Sequence, residues 1–86
     1  MKIRFHNNFV KQYRLLSAKQ KKKTQERLKL FLNNPFDLIL NNHPLKGKYL
    51  DYRSINIAGD LRAIYKFVSD DECIFVGIGT HNKLYS

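Results

Sequence analysis

Met1, Ile3 and Phe5 alternate with Lys2 and Arg4, a period of two that predicts a short strand with one buried face. The period then changes. From Asn7 or Asn8 onward, Phe9, Tyr13 and Leu16 recur at helical spacing with Lys11 and Arg14 outside, which predicts a first helix whose opening turn an asparagine can cap. Ser17 is placed to cap a second helix through Leu28, Phe31 and Leu32, which Asn33, Asn34 and Pro35 stop. Phe36 to Tyr49 follows neither period and reads as an ordered crossing segment.

Three alternating stretches complete the chain. Tyr52 to Ile57 puts Arg53, Ile55 and Ile57 on one face and Tyr52, Ser54 and Asn56 on the other. After Ala58, Gly59 and Asp60, the stretch Leu61 to Val68 sets Leu61, Ala63, Tyr65 and Phe67 against Arg62, Ile64 and Lys66. Ser69 to Asp71 turn the chain into Cys73 to Thr80, where Ile74, Val76 and Ile78 share one face and Phe75, Gly77 and Gly79 the other. The expected order is β-α-α-β-β-β in one α+β domain over residues 1–86: a small, mostly antiparallel sheet with a helical hairpin on one face. The opposite face, with Tyr52, Ser54, Asn56, Arg62, Lys66 and two glycines, is polar, cationic and free for a ligand.

Charge narrows the ligand. Sixteen Lys and Arg against seven Asp and Glu leave the chain at +9, which points to a polyanion or an acidic protein. Apolar residues at 43%, including six Phe and five Tyr, are enough for a folded core. A domain this small hides only about 60 to 65% of its unfolded surface, so a tightly bound partner is a natural source of added stability. Cys73 is alone, which excludes an intrachain disulfide and a zinc ligand set and fits a reducing compartment; within an apolar run it reads as a buried thiol. With no signal-like or membrane-length apolar run, the cytoplasm is the expected location.

Chemistry concentrates in three strings: HPLKGKY at His43 to Tyr49, GDLRAIYKF at Gly59 to Phe67 and GIGTHNKLY at Gly77 to Tyr85. Together with NPF at Asn34 to Phe36, their order and spacing resemble the YafQ-like branch of the RelE/ParE toxins over nearly the whole chain. The resemblance implies the toxin of a type II toxin-antitoxin system: a ribosome-dependent, metal-free mRNA endoribonuclease without a cofactor. Its implied partners are a cognate antitoxin, the ribosome and mRNA, with the toxin monomeric outside the antitoxin complex. The chemistry implied is attack by a ribose 2′-hydroxyl to give a 2′,3′-cyclic phosphate, which needs a base, an acid and a cation for the crowded phosphate.

His81 matches the family's catalytic histidine, and an imidazole with an ordinary pKa of about 6.5 serves proton transfer near neutrality. His43 matches a second histidine of the site, the alternative being a loop-capping side chain. Arg62 matches the catalytic arginine of RelE-like members and can hold a phosphate at two points, or pair with Asp60. Asp60 matches an acidic site residue that would orient a histidine, or it only fixes the turn. Tyr85 matches a terminal aromatic that stacks on a base or bonds a phosphate; its alternative is closing the core. The chain departs from the pattern at Asn56, where the branch has a histidine, at Leu61, where it has a tryptophan, and at Gly77, where it has an arginine. Arg62 crossing over the small Gly77 would restore the missing cation. Lys21, Lys22, Lys23 and Arg27 on the second helix, Lys46 and Lys48 in the crossing segment, and Lys66 and Asn56 on the free face are the expected RNA contacts. A gyrase inhibitor on the same fold, or a decayed toxin that only binds antitoxin, are the competing functions.

Overall fold

The computed structural model describes residues 1–85 and contains a five-stranded mixed sheet. Along the chain run β1 (Lys2–Phe5), α1 (Asn7–Arg14), α2 (Ala18–Asn33), β2 (His43–Pro44), β3 (Arg53–Ala58), β4 (Leu61–Ser69), β5 (Glu72–Thr80) and α3 (His81–Tyr85). Sheet order is β1-β5-β4-β3-β2, antiparallel except for β1 against β5. The expected α+β architecture is present, with two additions: the two-residue strand β2 within the crossing segment and the five-residue helix α3.

Local chemistry explains the element ends. Ser17 accepts from the Gln20 N–H while the Gln20 side chain accepts from the Ser17 N–H, a reciprocal cap that starts α2 at the expected residue. At α1 the cap is His6 rather than an asparagine: its Nδ1 accepts from the Asn8 N–H at 3.0 Å. The crossing segment is ordered by Asn42, whose amide donates to the Pro35 carbonyl at 2.8 Å and the Tyr65 phenol at 2.6 Å and accepts from Arg53 at 2.7 Å. Burial pushes the Tyr65 pKa up, opposed by that Asn42 hydrogen bond.

Beneath the helices the core joins Phe9 and Phe31 to Ile55, Ile57, Tyr65 and Phe75, with Phe31 set edge-on to both Tyr65 and Phe75 at 4.9 and 5.3 Å. One expected face is corrected here. Phe75 lies in the core with Cys73 and Ile78, because the β4–β5 ladder shifts between Ile64 and Tyr65, opposite Gly77 and Phe75, and the extra residue Val76 turns the alternation over. Beyond Phe75 the outer edge of β5 has lost β1, which stops at Phe5, and α1 takes its place. Asn8 donates to the Val76 carbonyl at 2.9 Å, and Gln12 accepts from the Ile78 N–H at 2.8 Å. Two side chains one helical turn apart thereby continue the ladder.

Candidate active site

Directly paired residues of an antiparallel ladder present their side chains to the same face, so register alone assembles two rows on the face away from α2. The first row runs His43, Ser54, Ile64, Gly77; the second runs Asn56, Arg62, Gly79. Ser54 is fully buried, while Asn56 and Arg62 are half-buried. Among the described residues, the buried side-chain polar atoms without a hydrogen-bond partner are Ser54 Oγ, Asn56 Oδ1 and Arg62 Nε. All three lie in these rows. An unsatisfied buried polar atom costs about 1–3 kcal/mol, so three in one patch mark a surface shaped for something other than the fold's own stability.

The glycines in the rows position α3. A Cβ on Gly77 would stand 3.3 Å from Gln12 Oε1 and 3.4 Å from the Leu84 side chain, and one on Gly79 would touch Leu84 at 3.7 Å, so the buried Leu84 sits in a niche with room for little more than a methyl group on the strand. The Tyr49 hydroxyl donates to the Leu84 carbonyl at 3.1 Å and ties the same residue to the crossing segment. With Leu84 seated, His81 and Tyr85 lie one turn apart with tilted rings whose centroids are 4.7 Å from each other, and the Tyr85 ring meets Tyr49 edge-on at 5.6 Å. The Tyr85 phenol approaches Ser54 without hydrogen-bond geometry and lies within the field of Arg62. Burial pushes its pKa up, with Ser54 and Arg62 pulling it back.

His43 is oriented by its neighbour. Its Nδ1 lies 2.8 Å from the Asn41 carbonyl, which only accepts, so Nδ1 carries the proton and Nε2 is left with a free lone pair. Asp60 sits exposed on the β3–β4 turn and pairs with Arg62 at 3.9 Å; no ion pair joins it to a histidine among the described residues. Arg62 stands opposite Gly79, and the space over Gly77 is taken by Leu84, Gln12 and Asn8. The room for a side chain to cross at Gly77 is therefore filled. Among the described residues no cluster of three His, Cys, Asp or Glu could hold a metal ion.

The basic residues divide between two surfaces. Lys22 and Lys23 flank the Gly59–Leu61 turn from α2, Lys23 pairing with Glu26 at 3.8 Å, and Lys21 lies 5.9 Å above the Tyr13 ring. Arg27 is half-buried, its Nε donating to the Ile57 carbonyl at 3.1 Å. Lys48 and Lys66 cover Tyr49 and Tyr52 at 5.3 and 5.2 Å, and Lys46 is exposed. Tyr49 and Leu84 carry no periodic signal that marks them beforehand; their roles come from the docking of α3.

The family model described as "Bacterial toxin of type II toxin-antitoxin system, YafQ" matches residues 1–86. The chain belongs to the YafQ toxin family. Among solved structures, YafQ from E. coli strain BL21(DE3) is 26% identical with a TM-score of 0.81, over 99% of this chain and 98% of that one. YafQ in the E. coli DinJ-YafQ toxin-antitoxin complex is 27% identical with a TM-score of 0.77, over 99% and 97% of the two chains. A YoeB/ParE toxin from Agrobacterium tumefaciens shares the fold, with a TM-score of 0.80 at 20% identity over 94% of this chain and 99% of that one. No curated protein gives a sequence match. This YafQ-family chain is thus a type II toxin on a RelE-like fold, and among its described residues no helix is long and apolar enough to cross a membrane.

Proposed function

We propose that this YafQ-family toxin is an endoribonuclease that cuts mRNA on the ribosome with its own side chains as acid, base and phosphate clamp. The observation that carries the reading is the patch of unpartnered Ser54, Asn56 and Arg62 atoms in the rows that His43 opens and α3 overhangs. A phosphodiester suits the part of that patch that reaches the surface, its anionic oxygens meeting the half-buried Arg62 guanidinium. His43 Nε2 takes the proton of the 2′-hydroxyl, whose oxygen attacks phosphorus and closes the 2′,3′-cyclic phosphate. The P–O5′ bond breaks as His81 delivers a proton to the leaving oxygen, so each imidazole ends in the other's starting state.

The relatives extend the reading to partners. YafQ is solved in a complex with DinJ, and YoeB from Staphylococcus aureus in a complex with YefM. By that likeness a cognate antitoxin holds this toxin, acidic where it meets the +9 surface, and the cytoplasm is where both meet the ribosome. Lys22, Lys23 and Lys46 grip ribosomal RNA through phosphates. The test is to map 5′ ends of cellular mRNA after brief induction of the native chain and of His81→Ala. Cuts at fixed codon positions that vanish in the variant are expected. DNA damage without mRNA cuts would replace the reading with gyrase inhibition, and growth without inhibition would replace it with antitoxin binding alone.

A further inference from the structure

Beside the candidate active site, and sharing Ile64 and Gly77 with its first row, a cleft of about 410 Å³ opens between α1 and the Tyr49 segment. We infer that this cleft is a nucleotide subsite that holds the base and phosphate of an RNA residue next to the one being cut. The inference rests on the endoribonuclease reading for the identity of the strand, while the cleft's chemistry stands by itself.

Ile64 and Gly77, both buried, close the bottom of the cleft next to the site, so the surfaces open to a ring are those of its walls. Two tyrosines form one wall. Tyr49 and Tyr52 meet edge-on at 6.0 Å, and Tyr49 also touches Tyr85, so one ring stands between the cleft and α3. Cations are held in reserve. Lys48 and Lys66 rest over the Tyr49 and Tyr52 rings, contacts worth about 0.5–1 kcal/mol at exposed sites. A base that takes a ring face displaces such an ammonium cheaply and leaves it beside the phosphate that arrives with the base. Lys83 lines the rim from α3.

The opposite wall can read a base edge. Asn8 spends its amide donor on the Val76 carbonyl and Gln12 spends its carbonyl on the Ile78 N–H, so an acceptor on Asn8 and a donor on Gln12 remain. Both amides are fixed by β5, and their positions are set before any ligand arrives. A volume of about 410 Å³ falls within the range of roughly 300–1,000 Å³ for small-ligand sites and admits one nucleotide. The surface over Lys22 and Lys23 on α2 lacks aromatic rings and suits backbone contact only.

The experiment uses the full chain and a 2′-O-methyl tetranucleotide, which binds without offering a 2′-hydroxyl for cleavage. Amide shifts in NMR titration are expected at Tyr52, Ile64 and Gly77. Tyr52→Ala should weaken binding about tenfold, within the range for one stacked base, and Tyr52→Phe should stay within about twofold. Lys83→Ala, an exposed change that does not threaten the fold, should lower the salt slope by about one. Native-like binding by folded Tyr52→Ala, an unchanged slope in Lys83→Ala, or shifts confined to α2 would overturn the subsite. Inorganic phosphate alone producing the same shifts would reduce it to an anion site and overturn the base contact. The catalytic reading fails separately: if the native chain cuts no mRNA while Tyr52-dependent binding persists, the cleft stands as an RNA site and the endoribonuclease assignment falls.

Discussion

Leu84→Ala should release α3 from the sheet while leaving the sheet intact. The change removes all of the side chain beyond Cβ from a residue that is 5% exposed, and at about 0.8 kcal/mol per buried methylene the loss is about 2.4 kcal/mol. The niche cannot close, because its strand side is Gly77 and Gly79. At about 1.4 kcal/mol per factor of ten, the ratio of docked to undocked α3 should fall roughly fiftyfold. The penalty is local. A five-residue helix that lies outside the Phe31, Tyr65 and Phe75 core can detach without opening it, so the global midpoint should move far less than α3 does. Hydrogen exchange is the assay: amides of α3 should exchange about fiftyfold faster while those of β4 and β5 keep their protection, and mRNA cleavage should fall with α3. Equal acceleration in β4 and β5 would show that Leu84 belongs to the common core. Unchanged exchange in α3 would refute the niche argument.

Gly77→Arg, which puts back the family's arginine, should cost about 1–3 kcal/mol in thermal unfolding by overpacking, since its Cβ would meet Gln12 Oε1 at 3.3 Å and Leu84 at 3.4 Å. A variant that is both as stable and more active would show that the niche tolerates a side chain. Arg62→Ala should lower cleavage by about 10² to 10³-fold, the scale of losing one transition-state donor, and should change stability little, because losing the 3.9 Å pair with Asp60 is offset by removing a buried Nε that makes no hydrogen bond; full activity in the variant would remove Arg62 from the mechanism. Burial pushes the Cys73 thiol up to about 11, so the folded chain holds that proton longer than the unfolded one. Its stability contribution is complete below the ordinary thiol pKa and is lost as pH rises through about 11, and chemical denaturation of the native chain against Cys73→Ala across that window should show the difference. Lys22→Glu with Lys23→Glu should weaken ribosome association most at low salt with the melting curve unchanged, as read by sedimentation; loss of the fold would mean these side chains pack rather than bind.

Strand alternation was enough to place Ser54, Asn56 and Arg62 on one face, because the β3–β4 ladder keeps its register from Arg53 to Asn56 and shifts only beyond, at Ile57. The same reasoning misplaced Phe75, since a bulge at Val76 inverts β5 and nothing in ECIFVGIGT announces it. The Ser17 cap was legible because a serine ahead of a helical run favours that role, whereas the asparagine expected to cap α1 gave way to His6 one residue earlier. Of the candidate site, the strings supplied His43, Arg62, Asp60, Tyr85 and His81 through family likeness, but the pairing of Asp60 with Arg62 and the seat of Leu84 depend on docking between distant segments. Arg27 shows the limit of charge counting. Its guanidinium also closes the end of β3, Nε donating to the Ile57 carbonyl, a structural role that a count of charges does not reveal.

The parallel pairing of β1 with β5 sets a timetable for the chain during its own synthesis. Lys2 to Phe5 must wait for Glu72 to Phe75, about seventy residues later, before finding a ladder, and at roughly 5–20 residues per second that is on the order of ten seconds. Until then Phe5, Phe9 and Phe31 lack the Phe75 ring that gathers them, and the rows from His43 to Gly77 lack their last strand. His81 and Tyr85 emerge later still. The rows and the seat of Leu84 are therefore complete only when β5 is in place, so an unfinished chain carries no assembled candidate site.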